Sequence, residues 1–199
     1  PRKHSQLQAE LSFLNLSETR DLALIHADVE EQVEQIASEL HLSVGVARVL
    51  LSDFLFNKDS VIASCNDNRI ATLEQCGVGR HSEQVATLMA DIDETIICGI
   101  CYDEVEGNQI YAMPCEHQFC HSCWESYLNC AIQERPSSSN AALAVTCPDH
   151  GCRERVTKED LQTVAPGLAG QWDLNFIRAF IGRRGGYSLC PGPDCTIVA

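Results

Sequence analysis

Apolar residues recur at every third or fourth position in the first quarter of the chain, on a background rich in acidic residues. The positions that form this pattern are Val29, Val33, Ile36, Ala37 and Leu40. Because an α-helix turns once every 3.6 residues, these side chains share one helix face. The pattern predicts an amphipathic helix that packs a single apolar stripe against its neighbours.

Two further helices are expected after the first. Ser43 is a candidate N-cap before one apolar run, and either Asn57 or Asp59 is a candidate N-cap before the next. Side chains of these types accept a hydrogen bond from a free N–H at the start of a helix. Together the three helices predict a small α-helical bundle over residues 18–66, which follows an N-terminal segment over residues 1–17.

Two stretches lack a clear period. Residues 67–94 have a mixed pattern with a Gly-Val-Gly break, and they predict a connector with a short helix over Glu83 to Asp91. The Pro- and Ser-rich stretch over residues 135–140 predicts a flexible insertion.

Helical spacing returns twice in the second half of the chain. Apolar residues from Trp124 to Ala131 predict one helix, and Trp124 is expected to be a core residue. A second apolar pattern over residues 171–181 predicts another helix, and Gly182 with the glycine pair that follows it would end that helix.

Cysteine and histidine residues form an ordered series through the middle of the chain. The series reads Cys98, Cys101, Cys115, His117, Cys120, Cys123, Cys147 and Cys152. Structural zinc is tetrahedral and takes four Cys or His ligands, and short spacings let one turn present two of them. Four such pairs are enough for two Zn²⁺ ions. A disulfide framework is the alternative, but no secretory signal sequence opens the chain, so we expect a reducing compartment, the cytoplasm and also the nucleus.

The single histidine in fourth place distinguishes between classes of zinc domain. Three cysteines, one histidine and four cysteines is the order of a RING, whereas a PHD finger has a cysteine fourth and a histidine fifth. The pairs of a RING interleave, so the first ion would take Cys98, Cys101, Cys120 and Cys123, and the second would take Cys115, His117, Cys147 and Cys152. His150 competes with Cys152 by spacing, but a thiolate suits the site better.

Charge and hydropathy exclude two classes of partner. The formal net charge is −14, and zinc-bound thiolates would make it more negative. A field of this sign repels phosphate backbones, so we expect no nucleic-acid binding and a basic protein surface as partner. No stretch approaches the ~20 apolar residues of a membrane-spanning helix, so we also expect no membrane insertion.

Four fragments carry a resemblance to the RBR ubiquitin ligases (RING, in-between-RING, RING-like), most closely to the Ariadne group. They are VLLSDFLFNKDSVIA (49–63), FCHSCWESYL (119–128), CPDHGC (147–152) and YSLCPGPDC (187–195). The resemblance implies a ubiquitin-associated-like helical bundle and a cross-brace RING over residues 95–156. It also implies a linker with a helix over residues 157–186, and the start of an in-between-RING domain over residues 187–199. Cys190 and Cys195 would form part of a third zinc site.

The resemblance also implies an activity. In that family the first RING recruits a ubiquitin-conjugating enzyme, and ubiquitin passes through a catalytic cysteine of the second RING-like domain to a substrate lysine. By resemblance, Ile100 would contact the conjugating enzyme, and Pro148 would flank the same groove. Arg153 stands where ordinary RING ligases keep a basic residue that bridges the conjugating enzyme and ubiquitin, although a surface ion pair would also account for it.

The catalytic cysteine of the second RING-like domain has no counterpart in this sequence. Cys65, Cys76 and Cys130 remain outside the ligand series, and none lies in a local histidine setting that would favour a nucleophilic thiolate. Cys130 is expected to pack on the RING helix. Two alternatives stay open: a stand-alone RING ligase without a covalent intermediate, and a binding module whose bundle captures ubiquitin or a ubiquitin-like modifier, as on modified cullin complexes.

Overall fold

The N-terminal helices pack as a three-helix bundle. The computed structural model of the protein describes residues 20–82, 95–133, 143–183 and 197–198. Helix α1 covers Leu22–Leu40, α2 covers Val44–Asp53 and α3 covers Lys58–Gln75. The predicted stripe of α1 is confirmed, because Val29, Val33 and Ile36 have no exposed surface.

Side-chain caps start the second and third helices. The Val46 N–H donates to Ser43 Oγ at 3.2 Å, and the Ser60 N–H donates to Asn57 Oδ1 at 3.0 Å. The Ser43 cap is therefore confirmed, and the second cap is Asn57 rather than Asp59.

Helix α3 is longer than the sequence pattern indicated. The bundle boundary predicted at residue 66 falls inside α3, which continues to Gln75. The helix is bent at Asn68, whose φ of −150° and ψ of 87° are not helical. Asn68 Oδ1 accepts from the Ala71 N–H at 3.1 Å and so caps a second helical section. The polar Asn-Asp-Asn run hides this restart from a reading of hydrophobic periodicity.

The RING half of the molecule contains two short antiparallel hairpins and one helix. Strand β2 (Thr95–Ile97) pairs with β3 (Glu104–Glu106), and β4 (Ile110–Ala112) pairs with β5 (Gln118–Cys120). Helix α4 (His121–Gln133) follows β5 directly. Trp124 is fully buried and its Nε1–H donates to the Tyr111 carbonyl at 3.1 Å, which confirms it as a core residue.

The prediction that Cys130 packs in the core is wrong. Cys130 is exposed on α4. The buried face of this helix carries Trp124, Leu128 and Ile132 at intervals of four residues. Cys130 is two residues away from both Leu128 and Ile132 in the sequence, and this spacing puts its side chain on the opposite face.

The C-terminal helices connect the two halves. Helix α5 (Lys158–Val164), which the hydrophobic pattern did not reveal, begins with a capping box formed by Thr157 and Asp160. Helix α6 (Ala169–Arg183) corresponds to the helix predicted over residues 171–181. Trp172 of α6 belongs to the RING core, whereas Phe176 belongs to the bundle core. Helix α6 is thus shared by both cores rather than being a free linker.

Polar contacts fix the bundle against the RING. The Arg155 guanidinium donates to both carboxylate oxygens of Asp53 at 2.9 and 3.0 Å, and its backbone N–H donates to the Gly77 carbonyl at 2.6 Å. Gly77 has a φ of 68°, and a Cβ there would collide with the carbonyl oxygen of Arg153. Glu159 Oε1 accepts from the Gly45 N–H at 2.7 Å, at the start of α2. The two halves therefore form one packed unit.

The remaining elements lie at the ends of the chain. Strand β1 (Arg20–Asp21) pairs antiparallel with β6 (Ile197–Val198). No helix in the described part of the chain has the length and apolar character needed to cross a membrane. The helix predicted over residues 83–91, the insertion over 135–140, and Cys190 with Cys195 lie outside the described residues.

Candidate functional site

The first ligand cluster lies where two hairpins and a helix meet. Cys98 follows β2, Cys101 lies in the turn after it, Cys120 ends β5, and Cys123 lies in the first turn of α4. The four sulfur atoms lie within 4.8 Å of one another, and the Cys101 and Cys120 sulfurs are 3.9 Å apart. The Cys98 N–H donates to the Asp103 carbonyl at 3.0 Å, and the Tyr102 N–H donates to the Cys98 carbonyl at 2.9 Å. These bonds hold the turn that presents the first pair.

The second ligand cluster joins two loops. Cys115 and His117 lie in the loop before β5, and Cys147 and Cys152 lie in the loop before α5. One ligand atom from each residue lies within 4.8 Å of the others. His150 is exposed and does not belong to this group, so the structure selects Cys152 for the fourth position. The structure thus brings together the same eight residues, in the same two interleaved groups, that the RING pattern implies.

In each cluster, hydrogen bonds lower the pKa of one thiol. Burial alone would raise the pKa of Cys98, but the N–H groups of Cys120, Cys101 and Ile100 donate to its sulfur and lower this pKa to about 6. A hydrogen bond from the Cys147 thiol is the main cause that lowers the pKa of Cys115 to about 5. The thiolate is the form of cysteine that binds metal.

The donor sets fit zinc. Four sulfurs in one cluster and three sulfurs with one imidazole nitrogen in the other are the ligand sets of structural Zn²⁺ sites. Hard cations such as Mg²⁺ and Ca²⁺ require oxygen ligands instead. Because each site has four protein ligands, neither leaves an open position for water or substrate. The two clusters therefore fit two structural Zn²⁺ ions, which would hold the RING together.

The similarity of this chain to known proteins agrees with a RING that has two zinc sites. Residues 98–149 match the family of C3HC4-type zinc fingers (RING fingers). The probable E3 ubiquitin-protein ligase ARI8 of Arabidopsis thaliana is 27% identical over 169 residues, which cover 83% of this chain and 28% of that protein. The match therefore includes the helical bundle in front of the RING as well as the RING. The chain thus contains a RING domain and is similar to this E3 ubiquitin-protein ligase over 83% of its own length.

Two further E3 ubiquitin-protein ligases match over a similar share of the chain. The E3 ubiquitin-protein ligase ARIH2 of Mus musculus is 23% identical, over 85% of this chain and 33% of that protein. The E3 ubiquitin-protein ligase dbl4 of Schizosaccharomyces pombe is 24% identical, over 87% of this chain and 33% of that protein. The chain thus spans about a third, or slightly less, of the length of these curated relatives.

The side chains that the Ariadne resemblance assigns to partner binding lie at or near the zinc loops. Ile100 is 42% exposed between two ligands of the first cluster, and its neighbours Ile97 and Tyr102 are 61% and 78% exposed. Pro148 is half-buried beside Cys147. Arg153 is exposed after Cys152 and lines a cleft of about 690 Å³ between α3 and the second zinc loop. No ion pair of Arg153 occurs among the described residues, so the expected surface ion pair is not found there.

Several residues that shape this site were not singled out from the sequence. Asp149 lies 3.6 Å from the ring of His117, and Arg155 carries the ion pair to the bundle. The position of Asp149 between two ligands was a usable signal, because metal-binding histidines usually have a carboxylate neighbour. No local signal identifies Arg155, since its partner Asp53 lies far away in the sequence.

Two described cysteines outside the clusters, Cys65 and Cys76, have no nucleophilic setting. Burial raises the pKa of Cys65. Burial, together with the charge of Asp53 and a hydrogen bond to it, raises the pKa of Cys76 to about 12. Both thiols lie in the bundle core. An acyl-transfer nucleophile needs the opposite environment, with a lowered pKa and access to the substrate.

Thiol alkylation of the zinc-loaded protein tests this difference. At pH 8 a thiol with a pKa of about 12 is ionised in only about one molecule in ten thousand. We therefore expect N-ethylmaleimide to modify the exposed Cys130 within minutes and to leave Cys65 and Cys76 unmodified, as measured by peptide mass spectrometry. Modification of Cys76 at a rate similar to that of Cys130 would contradict its burial and its raised pKa.

Proposed function

We propose that this chain is the part of an Ariadne-type ubiquitin ligase that recruits a ubiquitin-conjugating enzyme carrying ubiquitin. In the whole protein, ubiquitin would pass through a catalytic cysteine outside these residues to a lysine of the substrate. The observation that carries the proposal is the exposure of Ile100 on a turn between two zinc ligands. The names of the relatives, which are E3 ubiquitin-protein ligases, support the same activity.

The turn around Ile100 suits protein recognition. Zinc ligands on both sides and the hydrogen bonds of Cys98 and Tyr102 restrict the backbone, so little conformational entropy is lost when a partner binds. Ile97, Ile100 and Tyr102 expose large apolar side chains within six residues of sequence. Burial of such a group on a rigid loop is typical of the central anchors of protein interfaces. Pro148 on the second zinc loop would extend the contact.

Replacement of Ile100 tests recruitment. We expect Ile100→Ala to weaken binding to a ubiquitin-conjugating enzyme by roughly tenfold or more, since loss of one central apolar anchor costs at least ~1–2 kcal/mol. Isothermal titration calorimetry measures the affinity, and circular dichroism should show an unchanged fold because the side chain lies outside the core.

Leu24→Ala is the matched control for this experiment. Leu24 is also an exposed aliphatic residue, 65% accessible, but it lies on α1 of the bundle. We expect its replacement to leave the affinity for the conjugating enzyme unchanged. Equal losses in the two variants would exclude a specific anchor at Ile100, and no loss in either would exclude the zinc turn as the recruitment surface.

The exposed guanidinium of Arg153 favours a second candidate function, that of a stand-alone RING ligase. In that case the RING would align the conjugating enzyme and its ubiquitin for direct transfer to lysine, with Arg153 between the two. Incubation with a ubiquitin-charged conjugating enzyme separates the candidates. Faster discharge onto free lysine, lost in Arg153→Ala, would support direct transfer, whereas recruitment without faster discharge would support dependence on a catalytic cysteine elsewhere.

The helical bundle provides a third candidate function. By resemblance it is a ubiquitin-associated-like bundle that would bind ubiquitin or a ubiquitin-like modifier, such as one attached to a cullin complex. Exposed Leu55 and Ile70 are the apolar side chains that support this proposal, at 55% and 72% accessibility. We place these interactions in the cytoplasm, with the nucleus as a further compartment, and we expect neither nucleic acid nor membranes as partners.

A further inference from the structure

We propose that Asp149 is the positioning residue of the second zinc site: its carboxylate faces His117 Nε2, favours the proton on that nitrogen and thereby presents Nδ1 to the metal. The proposal rests on the fit of this cluster to zinc and is independent of the recruitment of a conjugating enzyme.

The two nitrogens of the His117 ring have different neighbours. Nδ1 lies 3.5 Å from the Cys147 sulfur and so belongs to the ligand side of the ring. Nε2 lies 3.6 Å from Asp149 Oδ1, on the opposite side. A neutral imidazole carries one proton, so a carboxylate facing Nε2 favours the tautomer whose lone pair is on Nδ1. That tautomer is the one that can bind zinc in this cluster.

The backbone of Asp149 contacts the other two ligands of its loop. Its N–H donates to the Cys147 sulfur. Its carbonyl accepts from the Cys152 N–H at 3.2 Å. Asp149 therefore contacts three of the four ligands. Its backbone hydrogen bonds to the ligand loop fix the position from which its side chain extends towards His117.

Exposure limits how large the effect should be. The side chains of His117 and Asp149 are 36% and 43% exposed, so water can replace part of the interaction. Loss of such a partner to a metal-bound histidine typically lowers metal affinity by about 10- to 100-fold. We expect Asp149→Ala to lie near the lower end of this range.

Competition with a chromogenic zinc chelator measures the affinity of each site. In Asp149→Ala we expect one of two zinc equivalents to be released at roughly tenfold lower chelator concentration, with the other equivalent unchanged. Asp149→Asn should have a smaller effect, because its amide oxygen still presents partial negative charge to Nε2. Long-range ¹⁵N–¹H spectra of the zinc-loaded wild type should show His117 protonated at Nε2.

Two controls separate the effect of the Asp149 carboxylate on His117 from general acidic charge and from folding. Glu116→Ala removes an exposed acidic side chain beside His117 and should leave zinc affinity unchanged. His117→Cys makes a four-sulfur site without a ring to orient, so adding Asp149→Ala in that background should have no effect. The proposal is overturned by an effect of less than twofold in Asp149→Ala, by the same loss in the His117→Cys background, or by protonation of Nδ1 in the loaded protein.

Discussion

Cys120→Ser is expected to remove one zinc ion and to unfold the RING core. Cys120 is buried and contributes to the first cluster, and its N–H donates to the Cys98 sulfur at 3.4 Å. Structural zinc in small domains contributes about 10–16 kcal/mol, whereas a whole domain is stable by only about 5–15 kcal/mol. The free energy lost with one zinc site is therefore as large as, or larger than, the whole free energy of unfolding of such a domain, so the RING should unfold.

The two tryptophans allow this loss to be measured separately from the bundle. Trp124 and Trp172 are the only tryptophans of the chain, and both belong to the RING core. Their fluorescence therefore reports the RING, while far-ultraviolet circular dichroism is dominated by the helices of the bundle. In the wild type we expect the two thermal transitions to coincide, because α6 supplies residues to both cores. In Cys120→Ser we expect the fluorescence transition to disappear and the helical transition to move to lower temperature.

Cys130→Ser is the matched control, since it makes the same atomic change at an exposed position of the neighbouring helix. It should keep two zinc ions and an unchanged transition. A helical transition in Cys120→Ser at the wild-type temperature would contradict the packed interface and would show that the bundle and the RING fold independently.

The zinc ligands could be predicted from the sequence because their chemistry is local. A turn presents two ligands when they are two or three residues apart, so pairs such as Cys98 and Cys101 are visible in the sequence itself. The cap Ser43 was predictable for the same reason, and the next cap could be narrowed to Asn57 or Asp59. Cys152 could also be preferred over His150 on ligand type. The interleaved grouping depended on knowledge of the RING pattern, not on spacing alone.

The junction between the bundle and the RING could not be predicted, because its partners are distant in sequence. Helical periodicity identified α6 as amphipathic, but it could not show that Trp172 and Phe176 enter different cores. The contact between Glu159 and the Gly45 N–H links two helices that pattern analysis treats separately. Hydrophobic spacing reports which residues are buried, and it contains no information on which core receives them.

Arg155→Ala is expected to destabilise the whole unit by about 3 kcal/mol, because it removes one partner of a largely buried ion pair. The Arg155 side chain is 10% exposed and contacts both oxygens of Asp53, which is 27% exposed. Its second terminal nitrogen also donates to the Leu143 carbonyl at 2.9 Å. The variant leaves the Asp53 carboxylate unpaired beside the buried thiol of Cys76. Because Asp53 is partly exposed, water can reach this carboxylate, and the loss of stability should lie at the lower end of the range for buried ion pairs.

Thermal unfolding of the zinc-loaded protein measures this effect. A loss of about 3 kcal/mol in a chain of this size corresponds to a transition lower by roughly 6–12 °C. Asp53→Asn should recover part of the loss when combined with Arg155→Ala, because it removes the unpaired charge, and the double-mutant cycle gives the coupling energy. Arg153→Ala, two residues away and exposed, should change the transition by no more than about 1–2 °C, since surface substitutions rarely exceed ~0.5 kcal/mol. Equal shifts for the two arginine variants would exclude the ion pair as the link between bundle and RING.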